Sequence, residues 1–193
     1  MRLARLDALA ALPYLVPCLM PQLPIIIAPD PRLKAESEFV ENIDDSIRSL
    51  IDNMVLTMHA APGVGLAAPQ VGVHKRIIVI DPSDGEGGPK PIKMINPEIT
   101  SCSDELVERA EGCLSLPDFY EELRRPDAIE VRFIDRDGKA RTLSANGLAA
   151  RCIQHEIDHL DGLIFVDHLS AVKRNIILRK LIKIKKQKRR ESA

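Results

Sequence analysis

The segment R-C-I-Q-H-E-I-D-H-L-D-G at residues 151–162 contains two histidines four residues apart, with a glutamate directly after the first. On an α-helix, His155 and His159 project from the same face one turn apart. In this arrangement two imidazoles bind a metal ion while the glutamate, here Glu156, handles a water proton. A catalytic site of this kind needs a third protein ligand and one position open for water. The alternative is an exposed helix with two ordinary histidines.

The third ligand is not found at the positions that usually follow this motif. Side chains of suitable chemistry occur downstream at Asp161, Asp167 and His168. None of them has a spacing typical of known H-E-x-x-H enzymes. The candidates therefore lie upstream of the helix.

One upstream candidate is Cys113, in the segment E-R-A-E-G-C-L-S-L-P-D-F-Y at 108–120. A thiolate is a good ligand for a borderline or soft divalent metal. Gly112 beside it lets a backbone or ligand approach closely. The alternative is a small buried cysteine, which is also the first interpretation for the other cysteines, Cys18, Cys102 and Cys152.

A glycine-rich segment, A-P-G-V-G-L-A-A-P-Q-V-G-V-H-K-R at 61–76, precedes both motifs. Glycines at 63 and 65 followed by two alanines indicate tight backbone packing or close approach of a ligand. The segment lacks the G-x-x-x-x-G-K-[ST] pattern of a phosphate-binding loop. Gln70 is a polar side chain here that can direct a donor at a reacting oxygen, the alternative being a surface glutamine.

Hydrophobic periodicity predicts an α+β fold with a mostly antiparallel sheet, because strands fill the middle of the chain and helices lie at both ends. The predicted helices cover about 37–60, 147–160 and 171–188. The predicted strands cover 76–81, 92–99 and 128–135, the last turning through Asp137-Gly138 into a hairpin partner at 141–146. Residues 82–91 are too polar and rich in glycine and proline to pack, so we expect a solvated loop there.

The chain divides into three parts by composition. Residues 1–19 are apolar with two arginines and two prolines, which favours a start codon assigned too far upstream, with Met20 the true start, over the alternative of a targeting segment. Residues 20–170 form one expected domain, since 45% hydrophobic content over 193 residues supports a single sizeable core. Residues 171–193 form a basic helix and tail.

Charge and cysteine content limit the partners and the compartment. Ten of the 27 basic residues lie between 173 and 190, where no acid occurs, so the body of the chain is acidic. A basic tail on an acidic body favours contact with an anionic partner. No C-x-x-C pair or disulfide framework is present, which indicates a reducing, cytoplasmic compartment, or an organelle if residues 1–19 are a targeting segment. The sequence contains no run of eighteen apolar residues, so no membrane-spanning helix is predicted.

Three segments taken together resemble the peptide deformylases. G-V-G-L-A-A-P-Q at 63–70, E-G-C-L-S at 111–115 and H-E-I-D-H at 155–159 match the three motifs of that family in order. The resemblance extends over about residues 21–175. It implies a metal-dependent hydrolase that removes the formyl group from the N-terminal N-formylmethionine of new proteins and releases formate.

The resemblance also implies a role for each motif residue. Cys113, His155 and His159 are the expected metal ligands. The metal in this family is usually regarded as ferrous iron in cells, with zinc, nickel or cobalt able to occupy the site. Glu156 is the expected general base and acid. The Gln70 amide and the backbone N–H of Leu114 are the expected donors to the oxyanion.

The expected substrate contacts come from three segments. In the family, the backbone of the first motif pairs with the peptide, which implies Val64 and Gly65 here, and Gly112 lies beside the cysteine ligand. Leu148 and Cys152 precede His155 by seven and three residues, so on a helix they share its face and can line a methionine pocket.

Two features leave alternatives open. Many bacterial deformylases have an arginine seven residues after the cysteine, whereas this chain has Tyr120. That difference leaves open how the peptide end of the substrate is held. The basic tail is either a helix packed by one face on the body or a ribosome anchor.

The other function classes are an H-E-x-x-H metallopeptidase and a non-catalytic binding module, and the complete set of motif residues argues against the second.

Overall fold

The computed structural model describes residues 22–83 and 88–191 of the chain. Residues 1–19, for which a start-site or targeting role was expected, lie outside the described residues together with Cys18. The described parts contain three α-helices: α1 (Asp45–Ala60), α2 (Gly147–Leu160) and α3 (Ala171–Glu191). They also contain seven strands: β1 (Gly65–Ala67), β2 (Ile77–Ile80), β3 (Ile92–Cys102), β4 (Leu106–Cys113), β5 (Leu116–Pro126), β6 (Ala128–Ile134) and β7 (Ala140–Asn146).

The strands form two antiparallel sheets. The larger sheet has five strands in the order β1-β2-β3-β6-β7, and the smaller sheet is the β4–β5 hairpin. With helices at both ends of the chain, this arrangement confirms the predicted single-domain α+β fold. No helix in the described parts of the chain is both long and apolar enough to cross a membrane.

Helix α2 lies between the two sheets because its two faces differ in chemistry. Its apolar face, with Ile153 and Leu160 fully buried, joins one hydrophobic cluster with Ile78, Met94 and Val131 of the larger sheet. Its polar face meets the hairpin, where Arg151 reaches backbone carbonyls of β4 and β5. The helix therefore contacts the larger sheet through apolar side chains and the hairpin through hydrogen bonds.

The ends of α2 agree with the prediction from the sequence. The helix begins at Gly147 and ends at Leu160, and Gly162 follows with a φ of 72°. A left-handed residue there lets the chain leave the helix, and glycine adopts that conformation without the steric cost of a Cβ. A Cβ on Gly162 would also lie 2.6 Å from the carbonyl oxygen of Lys34, so the position tolerates no side chain.

The predicted start of the first helix is wrong. Residues 37–44 are not helical, and α1 begins at Asp45 after a cap in which the Asp44 carboxylate accepts from the Ile47 N–H at 3.0 Å. The preceding residues pair instead with segments of the same chain that are distant in sequence. Val40 exchanges backbone hydrogen bonds with the Asn96 side chain at 2.9 Å, and Glu38 bridges to Lys75. These long-range bonds override the helical spacing of Phe39 and Ile43.

The β4–β5 hairpin was not predicted from the sequence. Its outward face is polar and its apolar residues are few, with Leu116 and Leu123 the buried ones. The short strand β1 was not predicted either. Strands β2, β3 and β6 and the Asp137-Gly138 hairpin occur where they were expected, with β3 three residues longer than predicted. In the predicted loop, residues 84–87 lie outside the described residues, and the flanking residues 82–83 and 88–91 are not in a helix or strand.

Candidate active site

Three possible metal ligands meet where α2 faces the end of the β4–β5 hairpin. Ligand atoms of Cys113, His155 and His159 all lie within 4.8 Å of one another. The Cys113 Sγ is 3.2 Å from the His159 Nε2. The two histidines come from one helical face, as predicted, and the cysteine is supplied from forty-two residues before the first of them. The fold therefore brings together the residues that were expected to bind a metal.

The hairpin turn places the cysteine. Cys113 ends β4 and pairs with Leu116, so only two residues form the turn, and the register shifts between Gly112 and Cys113. Such a bulge re-aims a side chain relative to a regular strand. Here it accompanies the thiol that reaches the α2 histidines.

A buried carboxylate holds the first histidine. Glu111 Oε2 lies 3.1 Å from the His155 Nδ1, and Oε1 accepts from Arg125 at 2.6 Å and from Arg151 at 2.7 Å. Burial acts to raise the pKa of Glu111, but hydrogen bonds from His155 and Arg125 hold that pKa at about 2. An ionised Glu111 keeps the proton of His155 on Nδ1, which leaves Nε2 free to bind a metal.

Glu111 and its two arginines were not found from the sequence. The one signal for Glu111 is its position two residues before Cys113, which would place both side chains on one face of a regular strand. The segment was not predicted as a strand, and its register shifts between Gly112 and Cys113, so this signal did not identify Glu111. Arg125 and Arg151 carry no such signal, since only the pairing of β4 with β5 and the docking of α2 bring them to Glu111.

The donor set fits a divalent transition metal. One thiolate and two imidazoles leave a fourth position open, which is the ligand count of a catalytic site. Borderline and soft metals such as zinc or ferrous iron suit these donors, whereas magnesium or calcium would require oxygen ligands. The hydrogen bond that orients His155 is the second-layer contact that such sites normally contain.

Glu156 lies beside the ligands without joining them. Its side chain is almost fully buried, and within the described residues its Oε2 has no hydrogen-bond partner. A Cβ on Gly65 would lie 2.9 Å from the Glu156 Cδ, so the carboxylate packs against bare backbone. Burial, more than the nearby charges of Asp158 and Glu111, raises the pKa of Glu156 to about 7. A carboxylate with such a pKa can both accept and release a proton near neutral pH.

Gln70 is buried, so the surface-glutamine alternative is wrong. It belongs to a 3-10 turn, Ala68–Val71, and its Oε1 accepts from the Ala67 N–H at 2.8 Å. Its Nε2 donates to the Ser115 Oγ at 3.1 Å and approaches the Cys113 Sγ at 3.4 Å. The amide therefore points at the metal ligands.

An open cavity of about 420 Å³ leads to these groups. It contains every substrate-binding residue expected from the sequence: Val64, Gly65, Gly112, Leu148 and Cys152. Burial above all raises the pKa of the Cys152 thiol to about 12, which makes it a neutral apolar wall. Leu114 and Tyr120 line the same cavity. A Cβ on Gly112 would lie 2.8 Å from the Tyr120 Cδ1, so the aromatic ring packs directly on that glycine.

Known proteins share this arrangement of segments. The family model described as polypeptide deformylase matches residues 22–175. A peptide deformylase from Agrobacterium fabrum is 46% identical over 165 residues, which cover 86% of this chain and 97% of the relative. The chain belongs to the peptide deformylase family.

Solved structures agree with this assignment. A crystal structure of peptide deformylase from Ehrlichia chaffeensis has a TM-score of 0.82 and 44% identity, covering 86% of this chain and 98% of that one. A second structure of the Ehrlichia chaffeensis deformylase, in complex with actinonin, has a TM-score of 0.79 and 47% identity over 83% of this chain and 96% of that one.

Family membership decides between the function classes that the sequence left open. Peptide deformylases are metal-dependent hydrolases that remove the formyl group from the N-terminus of newly made N-formylmethionyl peptides. This chain is an enzyme of that type, and it acts in N-terminal protein processing. The deformylase prediction is therefore confirmed over the metallopeptidase alternative.

Proposed function

We propose that Cys113, His155 and His159 hold one divalent ion, which is ferrous iron in cells and can be replaced by zinc, nickel or cobalt. The observation that carries the proposal is the convergence of the three ligand atoms within 4.8 Å. The Glu111 carboxylate supports it by orienting His155. When bound, the ion supplies Lewis acidity, which activates a water and polarises the formyl group.

Glu156 moves the protons of the reaction. Its carboxylate accepts the proton of the attacking water and delivers it to the amine that leaves the formyl carbon. Its burial and its unpartnered Oε2 support this role, because no protein donor in the described residues competes for that oxygen. A glycine at position 65 leaves the space that the carboxylate needs.

Two donors stabilise the negative oxygen that forms on the formyl group. One is the Gln70 side-chain amide and the other is the backbone N–H of Leu114, directly after Cys113. A pre-oriented donor of this kind typically contributes about 3 kcal/mol to the transition state. The buried, hydrogen-bonded position of the Gln70 amide supports this role.

The peptide extends along the edge of β1, which is the outermost strand of its sheet. The Val64 carbonyl accepts from the Asp81 N–H at 2.9 Å, so it points into the sheet. Backbone groups of successive strand residues point to opposite edges, and those of Gly65 are thus directed towards the substrate. Leu148 and Cys152 form the apolar wall for the methionine side chain, with Gly112 on the facing strand.

Formate release from formyl-Met-Ala-Ser tests these roles. With the metal-loaded protein, Glu156→Gln lowers kcat by at least about 100-fold, because proton transfer is lost. The matched control is Glu98→Gln, an exposed carboxylate on β3, which leaves kcat unchanged. Equal activity of the Glu156 variant, at equal metal content, would overturn the proton-transfer role.

We further propose that α3 contacts the ribosome through its exposed basic side chains, in the cytoplasm. Lys183, Lys185 and Lys186 are exposed, and basic helices bind phosphate without sequence specificity. Three free cysteines in the described residues, one of them a proposed ligand, suit a reducing compartment.

Charge substitution tests the ribosome contact better than deletion, since Ile177 and Leu181 of α3 are buried. Changing the three exposed lysines to glutamine is expected to weaken co-sedimentation with ribosomes. Unchanged co-sedimentation at low and moderate salt would dismiss the contact.

A further inference from the structure

The Gln70 amide has a partner for its oxygen and for one of its hydrogens, and its second hydrogen faces the proposed metal ligand Cys113. A glutamine side chain offers one carbonyl oxygen and two N–H donors. The oxygen accepts from the Ala67 N–H, which fixes the orientation of the amide because a flipped amide would place a donor against that donor. One N–H donates to the Ser115 Oγ and the other is directed at the Cys113 Sγ.

Ser115 is held at this position independently of its side chain. It is fully buried in the turn that joins β4 to β5, two residues after Cys113. Its backbone carbonyl accepts from the Ala28 N–H at 2.9 Å. Removal of the hydroxyl therefore leaves this backbone anchor in place, and the loss is confined to the acceptor of one amide hydrogen.

We propose that Ser115 is a positioning residue for the deformylation reaction: by accepting one hydrogen of the Gln70 amide, it directs the other at the oxygen that becomes negative. This inference rests on the proposed role of Gln70 as an oxyanion donor. Two anchors, Ala67 on the amide oxygen and Ser115 on one amide hydrogen, leave the second hydrogen in a defined direction beside the ligand Cys113.

Without the hydroxyl, the Gln70 amide retains one anchor and can rotate about its last torsion, which has a broad energy minimum. A donor that is displaced by a fraction of an ångström loses much of its effect on the transition state. Binding of the uncharged formyl peptide depends less on this donor, because the charge develops only during the reaction. The expected signature is a lower kcat with a nearly unchanged KM.

A double-mutant cycle with the metal-loaded full chain tests the inference. Gln70→Ala lowers kcat by about 100-fold or more. Ser115→Ala lowers kcat by about tenfold, with KM and metal content unchanged. In the double variant, the loss equals that of Gln70→Ala alone, because Ser115 acts only through the amide.

The chain offers a matched control in Ser37, a buried serine that does not line the cavity and whose Oγ has no hydrogen-bond partner in the described residues. Ser37→Ala leaves kcat unchanged. Thermal unfolding of each variant checks that the fold persists, and Ser115→Gly removes the same hydroxyl should Ser115→Ala fail to fold.

The outcomes separate the two levels of the argument. If Gln70→Ala keeps full activity, the proposed oxyanion role of Gln70 fails and the role of Ser115 fails with it. If Gln70→Ala is impaired but Ser115→Ala is not, only the Ser115 inference is overturned. It is also overturned if the two losses multiply in the double variant, or if Ser115→Ala raises KM while kcat stays constant.

Discussion

Helices α2 and α3 differ in where their polar and charged side chains lie. Ten residues of α2 are buried, and half of these are polar or charged: Arg151, Gln154, His155, Glu156 and His159. Among the α3 side chains that the structure describes, Ile177 and Leu181 are the buried ones, while the lysines at 180, 183, 185 and 186 are exposed. Helix α2 buries charged side chains, whereas α3 exposes them to solvent.

The difference shows where sequence chemistry indicates function. A buried charged group is destabilising unless partners surround it, so an acid or histidine inside a protein needs a structural or chemical reason. In α2 that reason is the proposed metal site with its supporting carboxylate and arginines. Exposed lysines cost nothing in water, and their number on α3 therefore identifies no partner by itself.

The largest expected effect comes from breaking the charge network that α2 shares with β4. Glu111→Gln leaves the buried Arg151 with a neutral partner, removes one of the two carboxylates that Arg125 contacts, and weakens the orientation of His155. We expect the free energy of unfolding to fall by about 3 kcal/mol in denaturant titration. Formate release should fall between about 10- and 100-fold at limiting metal concentration.

The control for that variant is Glu98→Gln, which breaks an ion pair with Arg132 whose two side chains are each 63% exposed. It should change the free energy of unfolding by less than about 1 kcal/mol. Equal destabilisation by the two substitutions would mean that burial does not distinguish the two ion pairs.

A smaller effect is expected from the apolar side of α3. Ile177 is 5% exposed and joins the cluster of Phe165 and Leu116, whereas its neighbour Ile176 is 49% exposed. Ile177→Ala should lower the free energy of unfolding by about 2 kcal/mol, and Ile176→Ala by about 0.5 kcal/mol. Chemical denaturation of the two variants, which have the same composition, measures the difference directly. Similar values would show that α3 does not dock by one face.

The smallest effect should follow from removing charge on the exposed side of α3. Changing Lys183, Lys185 and Lys186 to glutamine should leave kcat and KM for free formyl-Met-Ala-Ser within about twofold, since none of these residues lines the cavity. Steady-state assays at several salt concentrations measure both constants. A large loss of activity on the free tripeptide would show that α3 takes part in the reaction itself. The contrast drawn between α2 and α3 would then fail.

Features set by interactions within one segment were predicted from the sequence, whereas features set by contacts between distant segments were not. The limits of α2 were predictable because Gly147, Gly162 and the helical spacing of its apolar residues act within one segment. The start of α1 was not, because Val40 bonds to Asn96, fifty-six residues away. The β4–β5 hairpin was missed because its sequence alternates weakly, and its stability comes from pairing and from α2.

For the site, residue spacing by itself determined that one helix face presents His155 and His159, with Glu156 beside the first, because helical geometry is local and independent of the rest of the fold. It left the third ligand open among several candidates, and the resemblance of three motifs to a family then indicated Cys113. Only the tertiary structure decided that Gln70 is buried and that Glu111 holds His155. It also decided that Ser115 meets the Gln70 amide, a contact between residues forty-five apart in sequence. Such contacts depend on how sheets and helices pack, which no local pattern in the chain encodes.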